Sequence, residues 1–159
     1  MLKYLNTEVT FSEIPDEITL CINITGCKNA CRGCHSAYLA EDIGTELTIE
    51  ELQKLILNNK GITCICLMGG DSDPAYIEEL AMHLKFQSWY PVKIAWYSGR
   101  QYIPDEILVS YFDYIKIGPY IPELGGLDSE NTNQIMYKIE DDKLIDITYR
   151  FKHDFKSSI

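Results

Sequence analysis

The sequence predicts an α/β fold built on an open, curved and mostly parallel sheet that ends in a C-terminal hairpin. Three observations predict it. Short β-branched runs recur between capped amphipathic stretches, giving a β-α-β-α-β-α-β order up to residue 118. A closing pair of strand-like stretches is joined by Asp141-Asp142. Four such units are too few for an eight-stranded barrel, so the sheet is expected to stay open. The 159 residues, 46% hydrophobic and 24% charged, suit one domain spanning residues 1–159.

Residues 18–25 have the β-branched, apolar composition of a buried strand. Thr48 followed by Glu51 predicts a capping box for a helix with Ile49, Leu52, Leu55 and Ile56 inward, stopped by Asn58, Asn59 and Gly61. Residues 62–68 form a second strand that runs into Gly69-Gly70. Asp73 is the expected N-cap of the next helix, with Pro74 at its first position and Ile77, Leu80, Ala81 and Leu84 as its apolar stripe. A third strand at 92–97, a short helix at 104–110 and a fourth strand at 114–118 follow. Residues 119–133 contain Pro119, Pro122 and Gly125-Gly126 without a clear period, and read as a long irregular loop. Residues 135–140 and 144–151 are the expected hairpin strands.

The charge is acidic: 14 Lys and Arg against 24 Asp and Glu, a formal net charge of -10. Phosphate backbones demand clustered cations, so nucleic acid is not the expected partner. No apolar run approaches the roughly 20 residues of a membrane span, and the first residues lack a signal-peptide pattern. The expected location is the cytoplasm, where thiols stay reduced. Six cysteines in that setting exceed what packing alone asks for.

Three of them, Cys27, Cys31 and Cys34, fall within eight residues, in a loop expected at the C-terminal end of the first strand. Ligand sites of open parallel sheets gather at that end. Three thiolates so spaced can converge on one metal centre, with Gly26 and Gly33 allowing the tight turns. Lys28, Asn29 and Arg32 in the same stretch argue against simple burial. A structural zinc needs a fourth ligand, and the neighbouring His35 follows Cys34 too directly to serve without strain. A [4Fe–4S] cluster on three cysteines leaves one iron for a substrate or cofactor. Cys64 and Cys66 share a face of one strand beside Cys21 on the next, and read as core packing rather than a second metal site.

The Cys27-x3-Cys31-x2-Cys34 run resembles the cluster motif of the radical S-adenosylmethionine (SAM) enzymes. Met68-Gly69-Gly70-Asp71 resembles their glycine-glycine-acid segment, whose backbone holds the methionine part of SAM. Asp in place of Glu, and Gly33 before the third cysteine, resemble one branch, the activating proteins of the anaerobic (class III) ribonucleotide reductase. Residues 113–120, residues 123–129 and Thr132-Asn133-Gln134 are similar to stretches of the same activators, so the likeness covers most of residues 20–137.

The resemblance implies an open partial (βα) barrel of the radical SAM type. It implies a [4Fe–4S] cluster on Cys27, Cys31 and Cys34, with SAM on the remaining iron. An electron then breaks the sulfonium bond, and the 5′-deoxyadenosyl radical takes hydrogen from a glycine of the reductase large subunit. The electron donor would be a flavodoxin or a ferredoxin. No catalytic residue beyond cluster and SAM is implied, because hydrogen-atom transfer needs no general base. Gly33, Cys34, His35, Gly69, Gly70, Asp71, Ser98 and Lys116 are the expected cofactor-binding residues; Lys116 alternates with Ile115 and Ile117 and so points to the opposite face. Asp71 has two readings, a partner of the SAM ammonium or a helper of Asp73 in capping. The near rivals are activation of another glycyl-radical enzyme and another short radical SAM reaction on a small molecule. A rival of another class is an iron–sulfur electron carrier or a zinc module, with a fourth ligand from Cys21, Cys64, Cys66 or His35.

Overall fold

The computed structural model describes residues 1–26 and 41–152. Its elements are β1 (Lys3–Thr10), β2 (Thr19–Ile24), β3 (Thr45–Glu46), α1 (Ile49–Leu57), β4 (Cys64–Met68), α2 (Pro74–Phe86), β5 (Lys93–Tyr97), β6 (Tyr114–Ile117), β7 (Ile135–Glu140) and β8 (Lys143–Asp146). One mixed sheet holds all eight strands in the order β3-β1-β2-β4-β5-β6-β7-β8. The inner four strands are mutually parallel and the outer ones join antiparallel. The parallel strands are covered on both faces, which is why Cys64–Met68 and its neighbours read as nearly unbroken apolar runs.

Strand alternation divides the core in two. Leu20, Ile22, Ile65, Leu67, Ile94, Trp96 and Ile115 face both helices. α1 contributes Leu52 and Ile56, and α2 contributes Ile77, Leu80, Ala81 and Leu84, the predicted stripes. On the far face lie Cys21, Cys64, Cys66, Ala95, Tyr97 and Tyr114. They are covered by two segments from distant parts of the chain, Ile14 before β2 and Ile147 with Phe151 after β8. Arg150 Nη2 meets Asp16 Oδ2 at 2.9 Å and joins the two covers. Leu127, from the irregular loop, packs against the same cluster.

Helix starts follow local chemistry. Asp73 Oδ1 accepts from Tyr76 N at 3.2 Å, with Pro74 in the first turn. Thr48 Oγ1 accepts from Glu51 N at 3.0 Å, but the other half of the predicted capping box is replaced, since Glu51 accepts from the Tyr4 hydroxyl at 2.6 Å.

Three sequence expectations change. The helix predicted at 104–110 does not form; turns lead into one 3-10 turn at Val109–Tyr111. Ile107 is buried while Leu108 is exposed, so the segment has no apolar stripe to dock, and Leu108 N–H donates to Glu78 on α2 at 2.7 Å. The last strand stops at Asp146, not Phe151. Asp146 Oδ1 accepts from Thr148 N at 2.9 Å, and a 3-10 turn at Thr148–Phe151 carries Phe151 back onto the far-face core. Lys3–Thr10, unread in the sequence, is a full strand paired with β2. Leu5, Asn6, Glu8 and Val9 of that strand are all exposed, which leaves it without a legible apolar alternation.

Candidate functional site

The C-terminal ends of β2, β4, β5 and β6 meet at one edge of the sheet. The cysteine segment starts there. Gly26 N–H donates to Glu41 O at 3.1 Å, so the chain leaves for residues 27–40 and returns from them at the same point. Thr25 reinforces the junction, its N–H donating to Lys3 O at 2.9 Å and its hydroxyl to Ile43 O at 2.6 Å. Cys27, Cys31, Gly33, Cys34 and His35 themselves lie outside the described residues.

Gly69 and Gly70 follow β4 in left-handed backbone, φ 110° and 86°. A Cβ on Gly70 would sit 2.5 Å from Ile77 Cδ1, because α2 packs directly onto the turn. The doublet therefore has a packing cause in the helix as well as a conformational one. Gly69 N–H donates to Tyr97 O at 2.9 Å, and Gly69 O accepts from Trp96 Nε1 at 2.7 Å.

Asp71 does not cap α2; Asp73 does. The buried Asp71 carboxylate turns to the end of β5. Its Oδ1 accepts from Ser98 Oγ at 2.6 Å and its Oδ2 from Gly99 N at 2.8 Å. Ser98 is buried too, and its Oγ also accepts from Arg100 N at 3.1 Å. Ser98 N donates to Lys116 O at 2.8 Å, which carries the link on to β6.

Across the far face, Asn23, Met68, Tyr97 and Lys116 stand in register on four adjacent strands. This is the last row before the strand ends, one step above Cys21, Cys66, Ala95 and Tyr114. Half-buried Lys116 faces away from Ile115 and Ile117, as alternation predicts, with Nζ 4.6 Å from the centroid of the Tyr97 ring. Burial drives the Tyr97 hydroxyl well above its usual range, and it donates to Glu13 O at 2.5 Å. The upper row is thus half open while the lower row is sealed.

No protein-family model, curated protein or solved structure matches the chain.

Of the expected site residues, Gly69, Gly70, Asp71, Ser98 and Lys116 come together at the strand ends. Sequence reasoning missed Trp96 and Tyr97. Both sit in the run 92–97, where the adjacent aromatics, one for each face, were the available signal. Cys21, Cys64 and Cys66 are buried in the far-face core, in line with packing. Burial lifts the Cys66 and Cys64 thiols above their ordinary range, whereas a hydrogen bond from Cys66 lowers that of Cys21. Among the described residues no three His, Cys, Asp or Glu groups cluster as metal ligands, and no helix is long and apolar enough to cross a membrane.

Proposed function

We propose that this chain is a radical SAM activase that installs a glycyl radical on an anaerobic ribonucleotide reductase. One observation carries the reading. The Gly26–Glu41 hydrogen bond roots both ends of the three-cysteine segment at the sheet edge where the Gly69-Gly70-Asp71 and Ser98-Gly99 turns meet.

The donor set suits the group. Three thiols without a fourth at hand fit a [4Fe–4S] cluster better than a closed zinc site, so Cys27, Cys31 and Cys34 would hold it. When bound, the cluster supplies one-electron reductive cleavage of SAM. The Gly69-Gly70 turn, held in left-handed backbone at the strand ends, would meet the methionine end, and Lys116 brings a cation to the open row. Ile14, Ile147 and Phe151 keep water from the layer beneath. Four parallel strands with both helices on one face support an open partial (βα) barrel. Two α-helices, among the described residues, are few for that fold.

The reductase large subunit is the proposed protein substrate, and a flavodoxin or ferredoxin the electron donor, in the cytoplasm. The test is anaerobic reconstitution with iron and sulfide, then SAM and dithionite. The expected products are 5′-deoxyadenosine and methionine, absent in Cys27→Ala, Cys31→Ala and Cys34→Ala. Full iron loading without 5′-deoxyadenosine would replace the reading by an electron carrier. Electron paramagnetic resonance with the reductase then checks for the glycyl radical.

A further inference from the structure

The acid of the Gly69-Gly70-Asp71 turn is committed to its own protein. Asp71 is 4% exposed and Ser98 1%. Each Asp71 carboxylate oxygen accepts from the turn after β5, at 2.6 Å from Ser98 Oγ and 2.8 Å from Gly99 N. The same turn reaches back through Arg100 Nη2 to Asp71 O at 2.8 Å. From beneath, Trp96 Nε1 and Tyr97 O hold the carbonyl and amide of Gly69. Residues 69–71 are therefore fastened to residues 96–100 by both side chains and backbone.

We propose that Asp71 is a positioning residue, which sets the 69–71 turn through Ser98 and Gly99 rather than by touching the bound methionine group. The inference rests on the reading of this edge as the SAM site. It also gives Asp a reason: the short side chain matches a buried donor pair on the adjacent turn, which an added methylene would displace. Buried charge-assisted bonds of this kind are short, and about twice as strong as neutral ones.

Positioning and direct contact differ in additivity. The reconstituted full chain, Asp71→Ala, Ser98→Ala and the double variant are compared by calorimetric binding of S-adenosylhomocysteine, and by hydrogen exchange of segments 66–73 and 96–101. Positioning predicts that Asp71→Ala weakens binding about tenfold, ~1.4 kcal/mol. Ser98→Ala should weaken it severalfold, and the double variant no more than Asp71→Ala alone. It also predicts faster exchange in both segments for either single variant, and partial rescue by Asp71→Asn, which keeps one acceptor. Additive binding losses with unchanged exchange at 96–101 would overturn it in favour of direct contact.

Exchange is read without ligand. If the wild-type chain does not bind S-adenosylhomocysteine, the SAM reading fails while the exchange comparison still decides the link between the turns. If Asp71→Ala does not fold, Ser98→Ala decides alone, since unchanged exchange at 66–73 would sink the proposal.

Discussion

Arg150 lies 2.9 Å from Asp16 across 134 residues of sequence, and the pair bolts together the two segments that cover the far face of the sheet. Asp16 is largely exposed, so the bond itself is a weak one. The apolar residues beside it carry the energy. Arg150→Ala should cost under about 1 kcal/mol and lose its effect in high salt. Phe151→Ala should cost about 3 kcal/mol or more. Urea unfolding of the two variants checks the ranking, and equal losses would contradict it.

Gly70 and Gly61 share left-handed backbone but not surroundings. A Cβ at Gly61 meets nothing within 4 Å, whereas at Gly70 it strikes Ile77. Gly61→Ala should cost about 1–2 kcal/mol, the backbone term alone. Gly70→Ala should exceed it by about 1–3 kcal/mol, the cost of overpacking. Thermal melts of both variants give the comparison.

Alkali should unfold the chain early. Burial is the leading cause that raises Cys64, Cys66 and Tyr97, and it pushes Tyr4 and Tyr114 up to about 12. In the unfolded chain these thiols and phenols ionise near 9 and 10. Stability is then at its full value below pH 9 and falls from pH 9 through about 12, as the unfolded state loses protons that the folded state keeps. Burial raises Tyr76 as well, and the lowered Cys21 works in the opposite sense, as one group against six. Denaturant midpoints from pH 7 to 11 should decline only above pH 9.

Cys64→Ala with Cys66→Ala should leave the iron content of reconstituted protein unchanged while lowering its unfolding free energy by about 1–3 kcal/mol. A proportionate loss of iron would make these thiols ligands. In a chain lacking Cys27, Cys31 and Cys34, a thiol reagent should label nothing until denaturant is added, because Cys21, Cys64 and Cys66 are all buried.

The parallel centre of the fold was legible because its strands are buried on both faces and its helices carry caps, as at Asp73 and Thr48. What escaped depends on distant partners. Lys3–Thr10 is a strand because β2 offers it an edge, and Glu51 leaves its capping box because Tyr4 arrives from that strand. Residues 104–110 have a helix-like pattern, but Ile107 and Val109 reach the core two residues apart with Leu108 exposed between them, which is not a helical stripe. In the candidate site, local motifs pointed to Gly69, Gly70 and Asp71. The role of Asp71 was hidden, because its partners Ser98 and Gly99 come from another strand end.

The two faces of the sheet are also finished at different times. Residues up to Ile139 suffice for the helix side, while the far side waits for Ile147 and Phe151. A chain emerging from the ribosome therefore leaves Cys21, Cys64 and Cys66 without part of their cover until Ile147 and Phe151 have been made. Closing the far face is thus also the step that conceals three thiols.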